Sequence, residues 1–242
     1  MLCRVLQSER LKGRRSPVWL VFLLLPIFPA LLGTLNYLGN LGVLENGWYS
    51  LWSQHTIFAA SFFMPAQFGV FCAWQWRLEH SGYNWNSYLT APVSPKTLYA
   101  GKFWMAAGVS VLAQGCIGLL YLVSGKVAGI AAPPPAELAG WLLFGALGSM
   151  AVCAVQLFLS LVLRSFAAPV LLGLLGGIAG LLMTSRGAGV YFPYSLLCLG
   201  MRANNPSMDL PVGAFLISCL VYTVVFSALS VRWLSRRDAV TG

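Results

Sequence analysis

Few residues of this 242-residue chain could perform chemistry, and their spacing excludes most reactions. The two histidines, His55 and His80, stand apart, each near the end of an apolar stretch, so no histidine metal site is expected. The sequence has no H-E-x-x-H, no G-x-S-x-G and no clustered His/Asp pair. Its six cysteines, Cys3, Cys72, Cys116, Cys153, Cys198 and Cys219, are scattered without a C-x-x-C. They read as small core residues rather than a disulfide frame or a metal site. Cys198 falls in an expected outer loop with no evident partner. The nearest approach to a phosphate loop, "SGKVAG" at 124–129, lacks the first glycine and the following Ser/Thr. No catalytic residue, metal site or cofactor is therefore expected in the chain, and any energy must come from a partner.

Three amides, Gln67, Gln114 and Gln156, do lie in the middle of long apolar stretches. They either line a polar substrate route or bond across helices, an interaction worth about 0.6–2 kcal/mol in membranes. The second reading is preferred, and the first stays open.

The elements that must position these groups are membrane helices. Hydrophobic residues make up 58% of the chain and charged residues only 9%, against about a quarter charged in a soluble domain. Windows of about 20 apolar residues suffice to cross a bilayer, and six are found: Pro17–Leu38, Thr56–Trp76, Phe103–Val123, Leu138–Leu163, Phe166–Met183 and Pro211–Val231. No ionisable residue falls well inside any of them, which argues against an ion-coupled transporter or an intramembrane protease. The first stretch is too long for a signal-peptide core and reads as a retained span.

The net charge of +9 follows the same topology. Arg4, Arg10, Lys12, Arg14 and Arg15 precede the first span. Arg77, Lys96 and Lys102 lie between spans two and three, Arg164 follows span four, and Arg232, Arg236 and Arg237 close the chain. With six spans these fall on one side, against Lys126, Arg186 and Arg202 on the other, so both termini are expected in the cytoplasm. Nucleic-acid binding is not needed to explain the charge.

Span five carries Gly173, Gly176, Gly177 and Gly180, two overlapping G-x-x-x-G frames that predict a close helix-packing face, within the protein or between subunits. Pro26 and Pro29 in span one and Pro65 in span two are expected to bend their helices.

Between spans two and three lies "RLEHSGYNWNSYLTAPVSPKTLYAGK", residues 77–102. At 100° per residue, Leu78, Trp85, Tyr88 and Leu89 share one side, opposite Glu79, His80, Tyr83, Asn84, Asn86 and Ser87. This predicts a short amphipathic helix ended by Pro92. Ser94 and Pro95 then form an N-cap and first helical position, so the third span's helix should begin before the membrane and carry Lys96 and Lys102 near its surface. Such a helix either seals the bundle floor or docks a cytoplasmic protein.

The block "EHSGYNWNSYLTAPVSPKTLYAGK", the opening "SERLKGRR" and "YFPYSLLCLGM" at 191–201 resemble the type 2 permeases of ATP-binding-cassette (ABC) transporters, and among them most the lantibiotic-immunity permeases. The resemblance covers the whole chain and implies one all-α transmembrane permease domain, residues 1–242, in the bacterial cytoplasmic membrane. It implies that residues 79–90 form a coupling helix against an ABC ATPase, with Glu79, Tyr83, Asn84, Trp85, Asn86, Leu89 and Pro92 in that element. The segment Met1 to about Lys12 becomes an interfacial helix touching the ATPase through Glu9 and Lys12. Its own pattern is imperfect, since Leu2, Val5 and Leu6 share a face and Leu11 falls opposite. The outer segment 184–210 becomes re-entrant between spans five and six. ATP and Mg would be bound by two copies of the partner ATPase, beside a second permease, homologous or identical. The implied function is export of a lantibiotic or similar cationic antimicrobial peptide. The alternative is a non-transporting membrane anchor that recruits a cytoplasmic partner through the 79–90 helix.

Overall fold

The Ser94 hydroxyl accepts the Thr97 backbone N–H at 3.2 Å, and Pro95 takes the first helical position. The longest helix therefore starts where the capping residues place it. The computed structural model describes residues 1–14, 16–80 and 93–236, and of Leu78 the backbone alone. Tyr83, Asn84, Trp85, Asn86, Leu89 and Pro92 thus lie outside the described residues.

Everything regular within them is helical. An N-terminal helix α1 (Leu2–Gly13) is followed by α2 (Val18–Leu24), α3 (Ile27–Gly39) and α4 (Trp48–Phe58). A π-helical turn, Ala59–Phe63, leads into α5 (Met64–His80). Then come α6 (Pro95–Val127), α7 (Leu138–Val162), α8 (Ala167–Ser185), the short α9 (Ser195–Gly200) and α10 (Val212–Ser235). Among the described residues six stretches are long and apolar enough to cross a membrane: Val18–Gly39, Trp48–Arg77, Pro95–Val127, Leu138–Val162, Ala167–Ser185 and Val212–Ser235. The 33-residue α6 is about 50 Å long, well beyond a bilayer's roughly 30 Å hydrocarbon core.

Two of the expected bends are visible, each with a physical cause. Span one breaks at Leu25–Pro26, between α2 and α3. Pro26 has no N–H to donate to the Phe22 carbonyl four residues back. In span two Pro65 likewise leaves the Ser61 carbonyl without its helical donor, and the chain there widens into the π turn.

The glycine face of α8 packs inside the protein. A methyl group added at Gly173 would come within 2.5 Å of the Pro65 carbonyl oxygen, and one at Gly177 would collide with the Ser61 carbonyl. The other frame faces elsewhere: Gly176 lies against the Tyr194 ring and Gly180 against the Ser195 backbone. The absence of side chains lets α8 approach the Ser61 and Pro65 carbonyls at the π turn while the chain after span five folds onto its neighbouring face.

That following chain does fold back. A 3₁₀ turn, Gly189–Tyr191, precedes α9, whose six residues are all buried. The Trp52 indole donates to the Met201 carbonyl at 2.9 Å, joining span two to the end of α9. Cys198 is fully buried, its Sγ 3.7 Å from the Ala60 carbonyl. It is therefore not a partnerless loop cysteine, because the loop that hydropathy placed outside enters the bundle. Trp52 also stacks on Trp141 at 5.1 Å and meets Tyr121 edge-on at 4.9 Å, forming the aromatic centre of the core.

Candidate functional site

The residues flanking the 81–92 stretch carry the chain's densest charge cluster among the described residues. α1 presents Val5, Glu9 and Gly13 on its buried side, one helical turn apart, while Leu11 is exposed. Val5 packs on Gly101 of α6, where any side chain would strike it. This close approach brings Glu9 to Lys102.

Lys102 is fully buried and uses all three ammonium donors. They reach Glu9 Oε2 at 3.1 Å, Glu79 Oε1 at 2.9 Å and the Gln75 carbonyl at 2.7 Å. Its Nζ also lies 4.7 Å from the centre of the Trp76 ring. Lys12 Nζ reaches Glu9 Oε1 at 2.5 Å and Glu79 Oε1 at 2.9 Å. Two carboxylates and two ammonium groups thus form a closed, formally neutral square joining α1, α5 and α6. Glu9 and Glu79 are 3% and 0% exposed, burial that an unpaired carboxylate would not sustain.

Burial by itself raises the Glu79 carboxyl, but the charges of Lys102 and Lys12 and their hydrogen bonds outweigh it and hold the group below its ordinary value. Among the described residues Glu79 Oε2 and both amide atoms of buried Gln75 have no hydrogen-bond partner. The far side of the same helix end is gripped separately: His80 Nε2 lies 3.2 Å from the Ser160 carbonyl, and the Arg77 guanidinium lies over the Phe166 ring at 5.5 Å.

Lys102, expected near the membrane surface, has its side chain buried within the protein. The close α1–α6 packing supplies the Glu9 carboxylate and α5 supplies the Glu79 carboxylate and the Gln75 carbonyl, so the ammonium turns into the protein. Glu9 and Lys12 also face the cluster, while Glu79 joins them from α5. Sequence spacing alone did not pair these residues; a signal lay in the fact that the polar residues of α1 interrupt its apolar side at Glu9.

The three mid-span amides sit apart from one another, each buried against a neighbouring helix. Gln67 Nε2 lies 3.4 Å from the Phe22 carbonyl, the acceptor deprived of its donor by Pro26. Gln114 donates to Ser149 Oγ at 3.3 Å, and Gln156 donates to the Tyr194 hydroxyl at 2.9 Å. Among the described residues no group of three or more His, Cys, Asp or Glu side chains could hold a metal ion.

The helices on either side of residues 81–92 are joined to the N-terminal helix through charge. Against known families, the model described as ABC-2 family transporter protein matches residues 5–180, most of the chain. A search of curated proteins finds no match. Proteins of this family are the membrane permeases of ABC transporters and leave ATP hydrolysis to separate ABC ATPase subunits. With its six apolar helices and a match over most of its length, the chain belongs to the ABC-2 family of transporter permeases.

Proposed function

We propose that the chain is the permease subunit of an exporter that expels a lantibiotic or similar cationic, amphipathic antimicrobial peptide, driven by an ATPase docked on the 79–90 helix. The observation that carries the coupling part is the buried Glu9–Lys12–Glu79–Lys102 square. A push on the 81–92 stretch reaches α5 through Glu79 and α6 through Lys102, and both pull on α1. Tyr83, Asn84, Trp85 and Asn86 supply the polar and aromatic side chains suited to a compact protein contact. Twelve of the fifteen basic residues fall on one side of a six-span chain, supporting cytoplasmic termini and a cytoplasmic docking block. The peptide substrate and outward direction are supported by the resemblance of the 79–102 and 191–201 stretches to lantibiotic-immunity permeases.

The test is purification of the tagged chain from its native membrane in mild detergent, beside a Tyr83→Ala, Trp85→Ala variant. An ATPase should accompany the parent and be lost, or hydrolyse ATP without response to substrate, in the variant. Recovery of the parent with no nucleotide-binding protein overturns the docking reading and leaves a membrane anchor. Cells carrying the intact transporter should tolerate more lantibiotic than cells carrying the variant.

A further inference from the structure

Beside the charge square, on the outer side of α1, lies a cavity of about 650 Å³ lined by Gln7, Arg10, Leu11, Arg14 and Trp19. It forms because the Trp19 indole donates to the Gly13 carbonyl at 2.7 Å, folding the start of span one against the end of α1. Arg10 and Arg14 are four residues apart and so project from one face of the helix. Both are exposed, and among the described residues neither has a carboxylate partner. The nearest carboxylates in sequence and space, Glu9 and Glu79, are occupied by Lys12 and Lys102. Glu45, Glu137 and Asp209 lie on the links α3–α4, α6–α7 and the approach to α10, at the opposite end of the spans. Among the described residues two adjacent guanidinium groups thus stand without a carboxylate partner where α1 meets the start of span one.

The apolar part of the cavity fits the same location. Leu11 is 67% exposed although it neighbours both arginines, an orientation that is costly in water and favourable against acyl chains. Trp19 is half-buried with its N–H already bonded, leaving the ring to line the cavity at the start of span one, and tryptophan is enriched near span ends. Guanidinium groups bind phosphate oxygens in pairs, and basic pockets beside membrane helices take anionic lipid headgroups.

We propose that this cavity binds the headgroup of an anionic glycerophospholipid, its phosphate held between Arg10 and Arg14 and its upper acyl chain against Leu11 and Trp19. The inference rests on the six-span membrane reading and not on the ATPase or the peptide substrate.

The full-length chain in mild detergent, offered phosphatidylglycerol or phosphatidylcholine and measured by native mass spectrometry, tests it directly. Phosphatidylglycerol should be retained in preference. Retention should fall about twenty-five-fold in an Arg10→Gln, Arg14→Gln variant, at roughly fivefold per basic residue near an anionic surface. An Arg232→Gln, Arg236→Gln variant, which removes equal charge from α10 and its end, should retain it like the parent. Equal retention of the two lipids by the parent overturns the proposal without reference to any variant. So does loss of phosphatidylglycerol on adding millimolar inorganic phosphate, which assigns the cavity to the free anion. Equal losses in the two double variants mean that net charge and not this cavity attracts the lipid, and also overturn it.

Discussion

Lys102 Nζ and Glu79 Oε1 meet at 2.9 Å across the interface of the two helices that flank residues 81–92. The pair is completely buried, and each member is shared with α1, through Glu9 on one side and Lys12 on the other. Three helices are thus held together by charge-assisted hydrogen bonds at this point.

Removal of one partner should be costly. Glu79→Gln leaves Lys102 and Lys12 facing a single carboxylate, and the loss of a buried ionic partner typically costs about 3–5 kcal/mol. Lys102→Met should cost a similar amount. The Glu79→Gln, Lys102→Met double variant should be clearly more stable than the sum of the single losses, because no uncompensated charge is left by that pair. Thermal unfolding in detergent, arranged as a double-mutant cycle, measures the coupling.

The same pair gives a pH signature. The Glu79 carboxyl lies below its ordinary value of 4.5 in the folded protein, so folding favours its charged form. Its contribution is fully present above the unfolded carboxyl's pKa and is lost as pH falls through the lower folded one. The thermal midpoint should therefore drop as pH falls below about 4.5, and part of that drop should vanish in Glu79→Gln. A parallel decline in parent and variant would place the acid sensitivity elsewhere.

Gln67 and Pro26 should be energetically coupled. Gln67→Leu removes the donor to the Phe22 carbonyl and should cost about 0.6–2 kcal/mol. In a Pro26→Ala background the new backbone N–H can serve that carbonyl, and Gln67→Leu should then cost little. Additive losses in unfolding experiments would mean that Gln67 does not compensate for the proline.

Glycine substitutions should separate packed from open positions. Gly177→Ala drives a methyl group into the Ser61 carbonyl and should cost about 1–3 kcal/mol. Gly108→Ala, in the middle of α6 with open space where the methyl would lie, should be neutral or stabilise by up to about 1 kcal/mol. Melting temperatures of the two variants, measured together, check the contrast.

Trp52 should control access to the folded-back segment. Trp52→Phe removes the indole donor to Met201 and should cost about 1–3 kcal/mol through the unpaired buried carbonyl. Site-resolved thiol labelling should find Cys198 protected in the parent and more reactive in the variant, with exposed Cys3 labelled equally in both.

The sequence by itself determined the six apolar stretches, the start of α6 at Ser94–Pro95 and the bends at Pro26 and Pro65. Each follows from composition or covalent geometry acting over one or two helical turns, a range that a linear pattern records. It also marked Gly173, Gly176, Gly177 and Gly180 as a contact face without naming the contacts. The tertiary structure decided that Gly173 and Gly177 meet the carbonyls around the π turn, and that Gly176 and Gly180 meet Tyr194 and Ser195. It alone placed Cys198 inside the bundle, since hydropathy cannot distinguish an apolar segment facing lipid from one facing protein. It alone closed the charge square, because Glu9 and Lys102 stand 93 residues apart. A buried ion pair depends on which backbones approach closely enough to exclude water from both charges, and here that approach is set by Val5 lying on Gly101.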